Sequence, residues 1–270
     1  MRLSAADRPH LDALLAADQV ANCFFIARVE QLGVDRSSVW GAWDGGVLRA
    51  AVMVSGNVVP AGGDLAGLQA LGELLGGRPR TATSIVGLDT SVAAVWRGVA
   101  GRWGAARDER WSQPLLIADP EQPAVAPDPL VRAADPKDVD LLYPASVRMF
   151  TEEVGVSPLV GSSEAAYRAR LAALVSAGRV FRRIDAGQVV FKAEIAAATA
   201  AACQVQGVWV APELRGRGHG ARGMAAVAQL ASQRVSPTVS LYVNDYNAPA
   251  LAAYARAGFV PAGRMASVLF

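Results

Sequence analysis

The chain has 270 residues, and 26 Lys and Arg against 24 Asp and Glu leave it a formal charge of +2. That length suits two domains better than one core, and so small and dispersed an excess of charge gives no nucleic-acid footprint. The longest uncharged run, Ile195 to Pro212, carries Thr199, Gln204 and Gln206 and alternates as a strand does, which excludes a membrane-spanning helix, while Asp7, Arg8 and Asp12 interrupt the start before any signal-like apolar region develops, so a cytoplasmic location is expected.

Residues 8 to 32 open the chain with helical spacing, Leu11, Leu14 and Leu15, then Phe24, Phe25, Val29 and Leu32. Strand-like runs follow at Val39 to Trp43, Val47 to Val54 and Asn57 to Pro60, the first two separated by Asp44, Gly45 and Gly46, a hairpin signal. A helix from about Leu65 to Leu75, a strand near Ala82 to Val86, a helix from Ser91 to Val99 and a strand near Gln113 to Ile117 complete this part. Repeated prolines between 118 and 136 disrupt regular hydrogen bonding and mark a boundary.

The same order then returns. A helix from Pro136 to Phe150, a turn at 152 to 158, a helix from Glu164 to Ala177 and strands at 180 to 185, 188 to 198 and 202 to 210 are expected. The predicted division is an accessory domain over 1–117, a linker over 118–128 and a catalytic domain over 129–270, of mixed α/β class. The repeat is one of element order rather than of residue identity.

Residues 208 to 220 read VWVAPELRGRGHG and lead into a helix with Met224, Val227, Ala231 and Val235 on one face. Glycines after a strand let the backbone approach a ligand and turn N–H groups inward, and the helix N-terminus adds partial positive charge. That makes a pocket for a pyrophosphate, which Arg215 and Arg217 would reinforce. The segment GHGARG at 218 to 223 also fits the GxGxxG of dinucleotide-binding folds, with Asp245 downstream, but Ala211 to Arg215 separate strand from glycine and too little chain follows for the remaining βαβ units. No Lys-Ser or Lys-Thr pair follows the glycines, which removes a P-loop.

Arg215, Gly216, Arg217, Gly218, His219 and Gly220, with Val210, Pro212 and Glu213 before them, resemble motif A of the GNAT acyltransferase superfamily. Residues 239 to 259, VSLYVNDYNAPALAAYARAGF, resemble its motif B through Asn244, Asn247, Tyr254, Gly258 and Phe259. The two together cover the C-terminal half, and the arrangement is similar to two-domain actinobacterial proteins with a divergent N-terminal domain. The resemblance implies a GNAT fold and an acyl-CoA co-substrate, most simply acetyl-CoA. The backbone of Val208 and Val210 would bind the pantetheine arm, an N–H near Val208 would polarise the thioester carbonyl, and Arg215 to Gly220 would hold the diphosphate. Tyr254 would protonate the departing thiolate, and Asn247 would touch the coenzyme arm or cap its helix.

The chain departs from the family where a glutamate often stands eleven residues before the motif-A arginine, because it has Gln204. An amide cannot accept the amine's proton, so Gln204 could only orient a water. Glu194 is the substitute base, against the plainer alternative of a surface ion pair with Lys192, and Glu152 and Glu153 are expected to attract a cationic acceptor. Only two histidines, His10 and His219, and two distant cysteines, Cys23 and Cys203, occur, so no metal site is expected.

The N-terminal half has the element order without the chemistry. Where motif A is expected, TATSIVGLDTSVAAVW holds one glycine, Gly87, and no Arg, so this half reads as a degenerate GNAT-like partner. The function implied is acyl transfer to a primary amine of a small molecule or peptide by direct attack in a ternary complex. The alternative is a non-catalytic acyl-CoA-binding or regulatory protein. The expected partners are that acceptor and no nucleic acid or membrane, with a homodimer allowed.

Overall fold

The structure, a computed structural model, describes residues 1–119, 123–160 and 163–270. They gather into two compact units, one of Met1–Leu115 with Tyr242–Asp245 and Ala262–Phe270, the other of Leu116–Leu241 with Tyr246–Pro261.

In the first unit come α1 (Arg8–Leu15), α2 (Cys23–Leu32), β1 (Val39–Asp44), β2 (Val47–Val54), β3 (Val58–Ala61), α3 (Leu65–Gly76), β4 (Ser84–Leu88), α4 (Asp89–Trp103) and most of β5 (Asp108–Ala118). The β1–β2 turn is Gly45–Gly46, both at positive φ (54° and 79°), the conformation that lets a two-residue turn match strand twist. β1, β2 and β3 are antiparallel, and β3 pairs with β4 in parallel. One apolar cluster joins α1 and α2 to the sheet through Leu11, Leu15, Phe25 and Val29, and another joins α3 and α4 through Leu68, Leu71, Val92, Val95 and Val99.

The second unit holds β6 (Arg132–Ala133), α5 (Val139–Val154), α6 (Glu164–Ser176), β7 (Val180–Asp185), β8 (Gln188–Ala198), β9 (Ala202–Val210), α7 (His219–Arg234), β10 (Thr238–Tyr242) up to Leu241, α8 (Ala248–Arg256) and the start of β11 (Phe259–Leu269). β7, β8 and β9 are antiparallel and β9 pairs with β10 in parallel, so the helix and strand plan of the first unit recurs here with the same pairing directions.

Three features differ from the sequence reading. Residues 262–270, expected to belong with everything after 129, pack in the first unit, where Met265 to Leu269 pair antiparallel with Leu88 to Ser84. Part of the proline-rich segment is ordered structure: β6 pairs with β7, and Asp128 is buried, bonded to Arg183. Helix α5 runs on to Val154 and stops at Gly155, which takes the left-handed conformation (φ 78°), so Glu152 and Glu153 stand on the last helical turn rather than in the loop.

The first unit's counterpart of the strand, loop and helix at 208–220 is also not the stretch around Gly87. By order and pairing it is β3, Ala61 to Asp64 and α3. There the Asp64 carboxylate caps the helix by accepting from the Gly67 N–H at 3.0 Å. A fixed negative charge on that helix start repels a phosphate. Helices α3 and α4 also touch backbone to backbone: a Cβ on Gly72 would lie 2.4 Å from the Val95 carbonyl oxygen, and one on Gly98 2.5 Å from the Glu73 nitrogen.

Candidate active site

The parallel pairing of β9 with β10 covers Ala202↔Thr238, Cys203↔Val239 and Gln204↔Ser240, while β9 itself continues to Val210. Past Gln204 the pairing of β9 with β10 stops, while its pairing with β8 goes on through Gln206, Trp209 and Val210. On the other side, the β8–β9 register shifts between Lys192↔Trp209 and Glu194↔Gln206, so Gly207 and Val208 together oppose Ala193. This is a β-bulge, with Gly207 at φ +59°. It aims one amide of the strand out of the ladder. A lone Gly within a strand is the sequence signal for such a bulge, and Gly207 is a position that motif matching passed over.

Beyond β9 the chain makes a short turn at Pro212–Leu214 and enters α7. Gly216 and Gly218 have φ of +76° and +83°, with open space where a side chain would begin. Gly218 is the N-cap and has no side chain to offer the first-turn N–H groups, and the first turn carries no acid. The start of α7 therefore has neither a side-chain cap nor an acid in its first turn, the opposite of the Asp64-capped start of α3. Gly220 is the second residue of α7, and a Cβ there would meet Val210 and Ala253 at 3.7 Å. His219 lies with Nδ1 3.4 Å from Nη1 of Arg183, which donates to Asp128 at 2.8 Å.

Two residues named for coenzyme binding have partners within the unit. Arg215 donates from Nε to the Val210 carbonyl (3.1 Å) and pairs from Nη2 with Glu152 (2.7 Å), while Arg217 is exposed. Asn247 caps α8, accepting from the Ala250 N–H at 3.2 Å.

Tyr254, on α8, is 8% exposed and packs against Phe259. Burial pushes its phenol well above the ordinary tyrosine value, and the charge of Glu153 pushes the same way. The structure thus brings Glu153 into the electrostatic field of Tyr254, and Glu152 onto Arg215.

Glu194 does not sit at a surface. It is 1% exposed, and Lys192, 0% exposed, bonds it from Nζ to Oε1 at 2.7 Å. That overturns the surface ion pair expected as its plainer role: both side chains point under α5 and α6, where Ser146 Oγ lies 3.4 Å from Oε1, and Arg170 comes within 3.9 Å of Oε2 from the solvent side. Tyr167 donates to the Ser146 carbonyl, and its phenol is pushed up to about 12 by burial and then by Glu194. The pair lies directly against the bulge, since a Cβ on Gly207 would be 3.0 Å from the Met149 methyl, 3.5 Å from Glu194 Cδ and 3.6 Å from Lys192 Nζ. Gln204 is buried on β9 beside Ser240. Cys23 and Cys203 are buried, and burial raises the Cys203 thiol to about 11.

Comparison with known proteins agrees with this geometry. The family model for the acetyltransferase (GNAT) family matches residues 170–259, and a model described as a domain of unknown function (DUF4081) matches residues 37–142. No curated protein matches the sequence. Among solved structures, an acetyltransferase of the GNAT family from Colwellia psychrerythraea is similar over 99% of this chain and 97% of its own, with 13% identity and a TM-score of 0.62. A GCN5-related N-acetyltransferase from Sphaerobacter thermophilus is similar over 98% of this chain and 93% of its own, with 17% identity and a TM-score of 0.61. A tandem GNAT protein from the clavulanic acid biosynthesis pathway covers 86% of this chain and 82% of its own, at 15% identity and a TM-score of 0.50. At such identities the structural likeness speaks for the fold. The matched family model, the bulged strand and the glycine loop at the start of α7 converge, and the C-terminal part of this chain is a GNAT-family acetyltransferase domain.

Proposed function

We propose that the second unit transfers an acyl group, acetyl in the simplest case, from an acyl-CoA to a primary amine of a small molecule or peptide by direct attack in a ternary complex, and that it does so in the cytoplasm. The observation that carries this reading is the pairing of an uncapped helix start, Gly216 to Gly220, with a strand whose pairing to β10 stops after Gln204. The first suits a diphosphate, with Arg217 and His219 beside it. The second would let main-chain groups of Val208 and Val210 bond the amides of an extended pantetheine arm, the Val210 carbonyl exchanging its bond from Arg215. The bulge at Gly207–Val208 would direct an N–H at the thioester carbonyl, where negative charge grows as the amine attacks.

Tyr254 is the proposed acid. A phenol held above its ordinary value stays protonated at neutral pH and can give its proton to the departing thiolate. For the amine's proton, Glu194 is the proposed acceptor. Lys192 and Ser146 hold Oε1 while Arg170 stands 3.9 Å from Oε2, so Oε2 is the oxygen proposed to take the proton through a water, with Gln204 further along β9 proposed to orient one. Glu152 and Glu153 place negative charge at the end of α5 for the incoming ammonium, although Glu152 shares its charge with Arg215.

The test is thiol release from acetyl-CoA by purified protein in the presence of amines. The account expects CoASH release that depends on the amine and falls at least about a hundredfold in Tyr254→Phe, the lower range of what a positioned acid contributes. Release that Tyr254→Phe leaves unchanged would remove Tyr254 from this role.

A further inference from the structure

Helix α6 carries two arginines two positions apart, and their charges are answered differently. Arg168 pairs with Asp140 and, one turn earlier on the helix, with Glu164. Arg170 makes no hydrogen bond and no closer ion pair among the described residues than the 3.9 Å from its Nη1 to Oε2 of Glu194. Its guanidinium lies over the Tyr167 ring, 6.0 Å from the centroid, and half of its side chain is open to solvent. A guanidinium has five N–H donors in a planar fork, so most of the capacity of Arg170 is unused.

The carboxylate it approaches is already answered. Lys192 bonds Oε1 of Glu194 at 2.7 Å, and both of those side chains are buried. Two cations, Lys192 and Arg170, therefore face one carboxylate. Ser146 and Tyr167 beside them add no charge, because burial pushes the Tyr167 phenol up to about 12 and keeps it protonated. One positive charge is in excess, and it stands on the solvent side. The excess lies at the site itself, since a Cβ on Gly207 would be 3.5 Å from Glu194 Cδ and 3.6 Å from Lys192 Nζ. An amine with no other charge does nothing for that excess, and its ammonium form is repelled by it. A carboxylate on the same molecule answers it, in the two-bond geometry that suits a guanidinium. With the amine in its neutral, reacting form the charges then cancel, Glu194 and the acceptor's carboxylate against Lys192 and Arg170.

We infer that the acceptor is an amino acid, whose carboxylate is held by Arg170 while its amine lies between Oε2 of Glu194 and the bulge at Gly207. The inference rests on the acyltransferase reading above, with Glu194 as its base, and narrows its substrate. By turning to the acceptor's carboxylate, Arg170 gives up Oε2 to the amine's proton. In the reaction the neutral amine nitrogen forms a bond to the acyl carbon and the carbon–sulfur bond breaks. The amine proton passes through a water to Glu194 and the thiolate takes a proton from Tyr254, giving an N-acylamino acid and CoASH.

The experiment compares the common α-amino acids and β-alanine, each beside its own carboxamide, with acetyl-CoA and the full chain, by thiol release. The carboxamide keeps the amine and the side chain and removes only the negative charge. The expected result is a kcat/KM at least about tenfold higher for the best amino acid than for its carboxamide, in line with a hydrogen bond between charged groups. Arg170→Gln should cut that ratio at least fivefold, mainly through KM, and Arg170→Lys should restore part of it. Arg168→Gln, on the same helix, should leave the ratio as it was. Carboxamides used as well as the acids overturn the inference while leaving acyl transfer intact. So does an Arg170→Gln variant that slows acid and carboxamide alike, which assigns Arg170 to holding Glu194. Acetyl-CoA bound without thiol release from any amine would contradict both readings.

Discussion

At the scale of single residues, the proposed acid and base are two buried groups whose surroundings differ. Tyr254 has burial and a nearby negative charge acting in one direction, both favouring the neutral phenol. Because the folded value lies above the ordinary one of about 10, Tyr254 should not impose an alkaline fall in rate below about pH 10. Glu153→Gln removes one of the two causes, so any alkaline limb should move to lower pH, which a rate profile from pH 8 to 11 would show. Glu194 and Lys192 are a buried pair, and their cost depends on which partner is removed. Lys192→Met strands a carboxylate and should destabilise by about 3–5 kcal/mol, whereas Lys192→Met with Glu194→Leu should recover most of that, as measured by denaturant unfolding. The sequence showed both residues on one strand face two apart but not that α5 and α6 cover that face. Burial there depends on Ser146, Met149 and Tyr167, contributed from at least 25 residues away in sequence.

At the scale of elements, glycine does opposite work in the two units. Ahead of α7 the open positions are Gly216 and Gly218, both with left-handed backbone. In α3 and α4 the glycines close space, with Gly72 and Gly98 allowing contact with the facing helix backbone. Replacing Gly by Ala inside a helix ordinarily stabilises by about 1 kcal/mol. Gly98→Ala should instead destabilise by about 1–3 kcal/mol, since its Cβ would stand 2.5 Å from a backbone nitrogen, and thermal unfolding gives the sign directly. Strands and helices of this length were legible because alternation and helical spacing are local properties. The bulge at Gly207, the two-residue β6 and the helical turn holding Glu152 and Glu153 were not, because each is set by a partner strand or by where a glycine takes positive φ. Asp128 shows the same dependence. Burial raises its carboxyl, but the Leu130 N–H and Arg183, with the charges of Arg183 and Arg222, outweigh it and hold the group below the ordinary range. A carboxyl lowered in this way stabilises the fold above its unfolded value of about 3.9, and that contribution is lost as pH falls through the folded one.

At the scale of the whole molecule, one plan of helices, antiparallel strands and a parallel strand occurs twice, and the two copies differ at the helix start after the third strand, uncapped in α7 and capped by Asp64 in α3. The doubled order could be read from the sequence. The matching of loops could not, because the stretch Ala61 to Asp64 lacks the residues that identify motif A and is recognised only by its strand pairing. Nor could the membership of Ala262–Phe270, which depends on pairing with β4 more than 170 residues earlier. The first of these bears on binding: the first unit has a carboxylate cap where the second has a helix start with no side-chain cap. Calorimetric titration of the full chain with acetyl-CoA tests this most directly. The account predicts one molecule bound per chain, with affinity falling at least tenfold in Gly218→Val, whose side chain cannot hold φ +83° without strain, and unchanged in Asp64→Asn. Two molecules bound, none bound, or a Gly218→Val variant that remains folded and binds as tightly as the parent would contradict it.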